Sequence, residues 1–207
     1  MTCTIIRKKD QNESVWSGGK TTQLFIYPAE SSYASRNFAV RISSAVVEEE
    51  TSVFTSLPGF HRILMPISGA IKLTHEGHKE VHAEPYQAVE FEGGWRTTSH
   101  GKCTDFGIML AEGWHGSLYA AGESAHAAGA GESAAGAAVY KCRAGFVSVY
   151  ALLNNIEISA EAGGKLIAES LNSGDFLLLE SAAGESVLTF KTDAPYGAVI
   201  ANIWPVN

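Results

Sequence analysis

The chain has 207 residues, 45% apolar and 18% charged, with a formal net charge of −7. This is enough ordered, globular material for one large β domain or two fused halves. The acidic balance, without a long basic block, excludes nucleic acid and anionic membranes as expected partners.

No stretch reaches the roughly 20 apolar residues of a membrane span, and the amino terminus lacks a signal-peptide core. The three cysteines, Cys3, Cys103 and Cys142, are scattered and form no C-x-x-C pair. That pattern fits a reduced, cytoplasmic protein without structural zinc.

In chain order, a first strand is expected at residues 2–7, then a polar turn at 8–14. A glycine turn follows Trp16, and residues 23–27 form a strand stopped by Pro28. Residues 29–37 read as a polar loop. Residues 38–47, Phe-Ala-Val-Arg-Ile-Ser-Ser-Ala-Val-Val, are β-branched and apolar and end in Glu48-Glu49-Glu50. They predict a long, largely buried strand. Alternation places Arg41 and Ser43 on one face, with Val40 and Ile42 on the other. A buried guanidinium must be met by a carboxylate, water or a ligand, so this strand is expected to floor a pocket. Further strands are expected at 61–67, 70–74, 79–83, 88–91 and 105–110, separated by Gly/Pro turns. Short strands at regular spacing indicate an all-β sandwich or barrel.

Residues 116–138 are rich in Ala, Gly and Ser and nearly repeat Ala-Gly-Glu-Ser-Ala. They read as a linker or loop, with a lid or some helix as alternatives. Strands resume at 145–153, 156–159, 165–168, 175–179, 186–191 and 196–204. Gly59-Phe60 and Gly145-Phe146 lie 86 positions apart, and the order of strands and turns repeats at that offset. Two related halves are the simplest explanation: residues 1–115, a linker at 116–138, and residues 139–207, packed as one compact unit.

Gly19-Lys20-Thr21 imitates the end of a phosphate loop, but Ser14 stands where its first glycine belongs and a strand follows where a helix should. His78, Glu80 and His82 fall on one strand face and form the alternative metal set; a solvated face is the plainer reading. Arg41 and Arg62 are the arginines expected on core strands, where two forks would suit a small dicarboxylate or amidated acid. Their alternative partners are Asp105, Glu90 or a backbone carbonyl. No Gly-x-Ser-x-Gly elbow is present, and acid–base work by Asp105 with His61 has no local geometry behind it.

Trp16-Ser17-Gly18-Gly19-Lys20-Thr21-Thr22, Phe38 to Ala45, Phe54-Thr55-Ser56-Leu57-Pro58-Gly59-Phe60-His61-Arg62, Phe91-Glu92-Gly93 and Asp105-Phe106-Gly107-Ile108-Met109 occur in the order of the HutD/Ves family. The chain resembles that family over about residues 10 to 110. The resemblance implies a cupin-like β-sandwich or barrel with two related, bicupin-like halves. It also implies a soluble bacterial protein and a small acidic ligand such as formylglutamate. By position, Trp16, Thr21, Arg41, Ser43, Arg62 and Asp105 are the candidate ligand-binding residues. In three respects the chain departs from the family: the turn after Trp16 is shorter and lacks an asparagine, Gly107 stands where asparagine commonly follows Asp-Phe, and the low-complexity segment at 116–138 is particular to this chain.

The expected function is binding of a small, anionic metabolite by a regulatory or accessory protein, with no catalytic residue and no cofactor. The alternatives are a metal-dependent cupin isomerase or oxygenase, and a structural module that forms a homodimer.

Overall fold

The structure, a computed structural model, describes residues 1–121, 130–134, 137–182, 184–192 and 194–206, with only the backbone at 130–134 and 137. Its strands are β1 (Thr2–Ile6), β2 (Asn12–Trp16), β3 (Gly19–Tyr27), β4 (Val40–Val47), β5 (Thr51–Val53), β6 (Phe60–Ser68) and β7 (Ile71–His75). There follow β8 (Val81–Ala83), β9 (Val89–Glu92), β10 (Thr97–His100), β11 (Cys103–Ala111), β12 (Trp114–Ala121), β13 (Ala130–Ala134) and β14 (Ala137–Cys142). The last are β15 (Gly145–Ala151), β16 (Ile156–Ala162), β17 (Lys165–Leu171), β18 (Phe176–Ser181), β19 (Ser186–Lys191) and β20 (Ala198–Pro205). A single 3-10 turn at Lys8–Asp10 is the helical element among the described residues, and no helix is long and apolar enough to cross a membrane. The all-β expectation holds.

The chain divides into two compact units, Gln11–Gly116 and Met1–Asp10 with Ser117–Asn207. In the first, a six-stranded sheet runs β2-β3-β4-β11-β6-β9 and a four-stranded sheet β5-β10-β7-β8. Val47, Leu64, Ile71, Leu73, Ala83, Phe91 and Cys103 form one core cluster, and Phe38, Leu57, Phe60 and Met109 another. The strands β4 and β11 are buried on both faces: Val40, Ile42, Phe106 and Ile108 on one, Arg41, Ser43 and Asp105 on the other. That is why residues 38–47 read as a near-continuous apolar run.

The second unit holds sheets β1-β18-β15-β20-β12 and β13-β14-β19-β16-β17 around a core that includes Tyr140, Val149, Ile158, Leu177, Leu188, Phe190 and Ile200. Part of the pairing scheme recurs in both units. β6 lies between β9 and β11 as β15 lies between β18 and β20, and β7 lies between β8 and β10 as β16 lies between β17 and β19.

The structure differs from the sequence reading in several features, among them the strands β5 and β10, which lie between the expected ones. Residues 1–10 do not join the unit that follows them in sequence; β1 pairs antiparallel with β18, from Thr2↔Glu180 to Ile6↔Phe176. Asp175 ties this junction, its carboxylate accepting the N–H groups of Lys8 and Asn172, both at 3.0 Å, and the Arg7 Nη1 at 2.9 Å. Residues 12–14, expected in a polar turn, join Val15 and Trp16 in the edge strand β2, which is exposed at every position and so without apolar alternation. Within 116–138, β12, β13 and the start of β14 are strand, while 122–129 and 135–136 lie outside the described residues. Leu118, Ala120 and Ala121 are buried, so small side chains that look like linker composition here pack as strand.

Candidate functional site

A cavity of about 460 Å³ opens in the first unit, within the range of small-molecule sites. Trp16, Thr21, Arg41, Ser43, Arg62 and Asp105 all line it. Sheet register shows how strands far apart in sequence assemble it. Arg41, Met109 and Arg62 form one cross-strand row on β4, β11 and β6; Ser43, Gly107 and Leu64 form the next. Ala45 and Asp105 follow, with Pro66 opposite Asp105.

Two β-bulges shape this face. In β3 the register shifts between Gln23 and Phe25, so Leu24 is the extra residue and Gln23 keeps its place opposite Ser43. The β6–β11 register shifts at Thr104/Asp105, which leaves Ile67 unpaired beside Pro66. A bulge bends its strand and re-aims neighbouring side chains, and it tolerates a proline that has no N–H to give.

Arg41 is 6% exposed. Its Nε donates to Gln23 Oε1 and its Nη1 to Ser43 Oγ, both at 3.0 Å, and its Cζ lies 4.6 Å from the centre of the Tyr33 ring. Arg62 is 9% exposed and sits over the Phe54 and Phe91 rings at 4.6 and 5.2 Å. Among the described residues Arg62 donates no side-chain hydrogen bond, and none of the ion pairs involves Arg41, Arg62 or Asp105. Burial lowers both arginine pKa values from the ordinary guanidinium value, and the Tyr33 phenol opposes that shift.

Burial pushes the Asp105 carboxyl up to about 7, against the pull of the Arg62 guanidinium and the Ala45 N–H. Below that pH it is a neutral hydrogen-bond donor, and above it a carboxylate. Cys103, beside it on β11, is pushed up to about 12 by burial and by Asp105, so it is no thiolate nucleophile.

Trp16 closes one side of the cavity. Its Nε1 donates to Thr21 Oγ1 at 3.2 Å, and the ring packs over Gly18, where a Cβ would collide with it. A shallower hollow shares Trp16, Ser17, Ser52 and Val53 with the main cavity, so these four form the wall between the two.

The alternative sites are not assembled. His78 lies in the turn before β8 and stacks on Trp95 at 3.8 Å. Glu80 is held by Lys72 at 3.1 Å, and His82 stands outward, its side chain 70% exposed. No group of three His, Cys, Asp or Glu among the described residues is placed to hold a metal ion. The strand meant to align the three is Val81–Ala83 alone, because the Glu76-Gly77 turn and its flank consume the rest. His61 points to the face of β6 opposite Arg62 and binds Glu90 and Glu92 at 3.2 and 3.0 Å, so it does not meet Asp105. Gly19-Lys20-Thr21 is the start of β3, with no helix behind it.

Sequence reasoning missed Tyr33, Phe54 and Gln23. Tyr33 and Phe54 come from segments read as connections, and Gln23 belongs to a predicted strand without any local sign of its partner. The aromatic character of the two loop residues was the available signal.

The fold has solved counterparts. A conserved protein of unknown function, PA5104 from Pseudomonas aeruginosa PAO1, superposes with a TM-score of 0.79 at 19% identity over 98% of this chain and 99% of that one. HutD from Pseudomonas fluorescens SBW25, solved in a formate condition, gives 0.74 at 19% identity over 100% of both chains. Hazelnut (Corylus avellana) vicilin gives 0.58 at 10% identity over 97% and 87%, a likeness in fold alone that, with a similar match to oxalate decarboxylase from Bacillus subtilis, fits a cupin-like β-sandwich. No curated protein matches the sequence. The HutD family model matches residues 8–196, nearly the whole length, and the chain therefore belongs to the HutD family.

Proposed function

We propose that the first unit binds a small anionic metabolite in this cavity, and that the protein acts by binding, as a regulatory or accessory factor, with no reaction of its own. One observation carries the reading: Arg62 is a nine-tenths buried guanidinium that borders a cavity and donates to no acceptor among the described residues. A buried charge without a partner costs several kcal/mol. A carboxylate guest would supply the acceptor, and the guanidinium fork matches its two oxygens. Arg41 adds a second cation, already oriented by Gln23 and Ser43. The HutD match and the cupin-like fold are consistent with a ligand held inside a β-barrel.

The test is a thermal-shift and calorimetric screen of small carboxylates on wild type, Arg41→Ala and Arg62→Met. Stabilisation of wild type that disappears in both variants supports the proposal. Stabilisation that survives both substitutions removes the arginines as the anchor.

A further inference from the structure

Gly107 lies in the middle of β11, where nothing in the backbone calls for glycine. Its conformation is not left-handed, and a Cβ built there meets only the Ile63 carbonyl oxygen, at 3.6 Å, an ordinary contact. Glycine weakens a strand interior, and where it occurs there it often marks the close approach of a ligand or another backbone. Gly107 also lines the cavity.

The register gives that position its meaning. Gly107 sits between Ser43 and Leu64 in the middle row of the floor. The row holding Arg41, Met109 and Arg62 lies two residues away along the strand in one direction, and Asp105 two residues away in the other. Two residues of strand span about 7 Å. The floor therefore has cations at one end and a protonatable acid at the other, with Gly107, bare of a side chain, between Ser43 and Leu64 in the middle. Arg62 and Asp105 both line the cavity and are not in ion-pair contact with each other. A cavity of about 460 Å³ is also far larger than a formate-sized anion, since one water occupies about 30 Å³.

We propose that the site takes an elongated carboxylic acid. Its carboxylate lies at Arg41 and Arg62, its carbon chain runs across Gly107, and a polar group at its far end meets Asp105. Gly107 sets the length the cavity accepts. This inference rests on the anion-binding reading of the same cavity and adds the shape of the ligand.

Isothermal titration of the full chain with straight-chain monocarboxylates from acetate to hexanoate, and with the terminal amide of glutarate, tests it. In wild type, affinity should rise by about fourfold for each added methylene that is buried. The glutarate amide should bind more tightly than pentanoate, and Asp105→Ala should remove that preference. Gly107→Val should weaken hexanoate by about tenfold or more relative to acetate, the equivalent of losing two buried methylenes. Should Gly107→Val not fold, Gly107→Ala, whose methyl has room, should flatten the series by about fourfold at its long end. Acetate binding with no gain from chain length, or parallel series in wild type and the Gly107 variants, overturns this inference and leaves the anion site intact. Failure of every acid to bind wild type overturns both.

Discussion

Replacing Arg62 by methionine should make the protein more stable while it removes anion binding. Methionine keeps an unbranched, polarisable chain of similar length that can stay on the Phe54 and Phe91 rings. The guanidinium now pays a desolvation penalty of several kcal/mol without a protein carboxylate to repay it. Set against that are its two ring contacts, at 4.6 and 5.2 Å, each contributing about 1–2 kcal/mol when desolvated. The Coulomb attraction to Asp105 also opposes the gain, weakened because the two are not in ion-pair contact. The difference is a gain of about 1–3 kcal/mol for Arg62→Met, read as a higher urea midpoint at unchanged slope. A carboxylate at 100 times its Kd should then stabilise wild type by about 2.7 kcal/mol and leave the variant unmoved. Loss of more than about 1 kcal/mol in the ligand-free variant refutes the reasoning, since it would mean that the fold itself neutralises the charge.

Asp105→Asn should flatten the stability–pH profile. The folded carboxyl titrates near 7 against 3.8 when unfolded, so between those values the folded state holds the extra proton. Wild type is therefore most favoured by this group below its unfolded pKa and loses up to about 4 kcal/mol as pH rises through 7; equal slopes in wild type and Asp105→Asn would contradict this. Anion affinity should fall over the same rise, as Asp105 gains a charge like that of the ligand, and calorimetry at pH 6 and 8 reads it. Asp175→Ala should cost about 2–4 kcal/mol by removing three hydrogen bonds, one to a charged donor, and hydrogen exchange should show the β1 amides losing protection first. Gly18→Ala should push the Trp16 indole off its seat, shift its fluorescence and weaken anion binding, whereas an unchanged spectrum would mean the turn yields instead.

Local alternation was enough to place Arg41 beside Ser43 on one face of a buried strand, because side-chain direction in a strand depends only on parity. The same rule, with the Gly/Pro turns, was enough for the all-β class. It could not bring Arg62 next to that face, since the two arginines meet only through Met109 of β11, a pairing between distant segments. Nor could it foresee Gln23 behind Arg41, because the extra residue Leu24 resets parity in the middle of β3. The single face given to His78, Glu80 and His82, the alternative metal set, is the converse case: strand is confined to Val81–Ala83, so parity does not reach His78 and Glu80.

Edge choice was equally hidden. Nothing in residues 2–6 says that they pair with β18, since an antiparallel edge accepts any strand of suitable alternation and it is the Asp175 carboxylate that locks this one. What neighbours along the chain set, and the sequence alone therefore carried, was the all-β class, most of the long strands and the facing of Arg41 and Ser43. The tertiary structure alone decided which faces meet, where the bulges fall, and that Arg62 is left at the cavity without a protein acceptor. Those depend on the register of strands tens of residues apart.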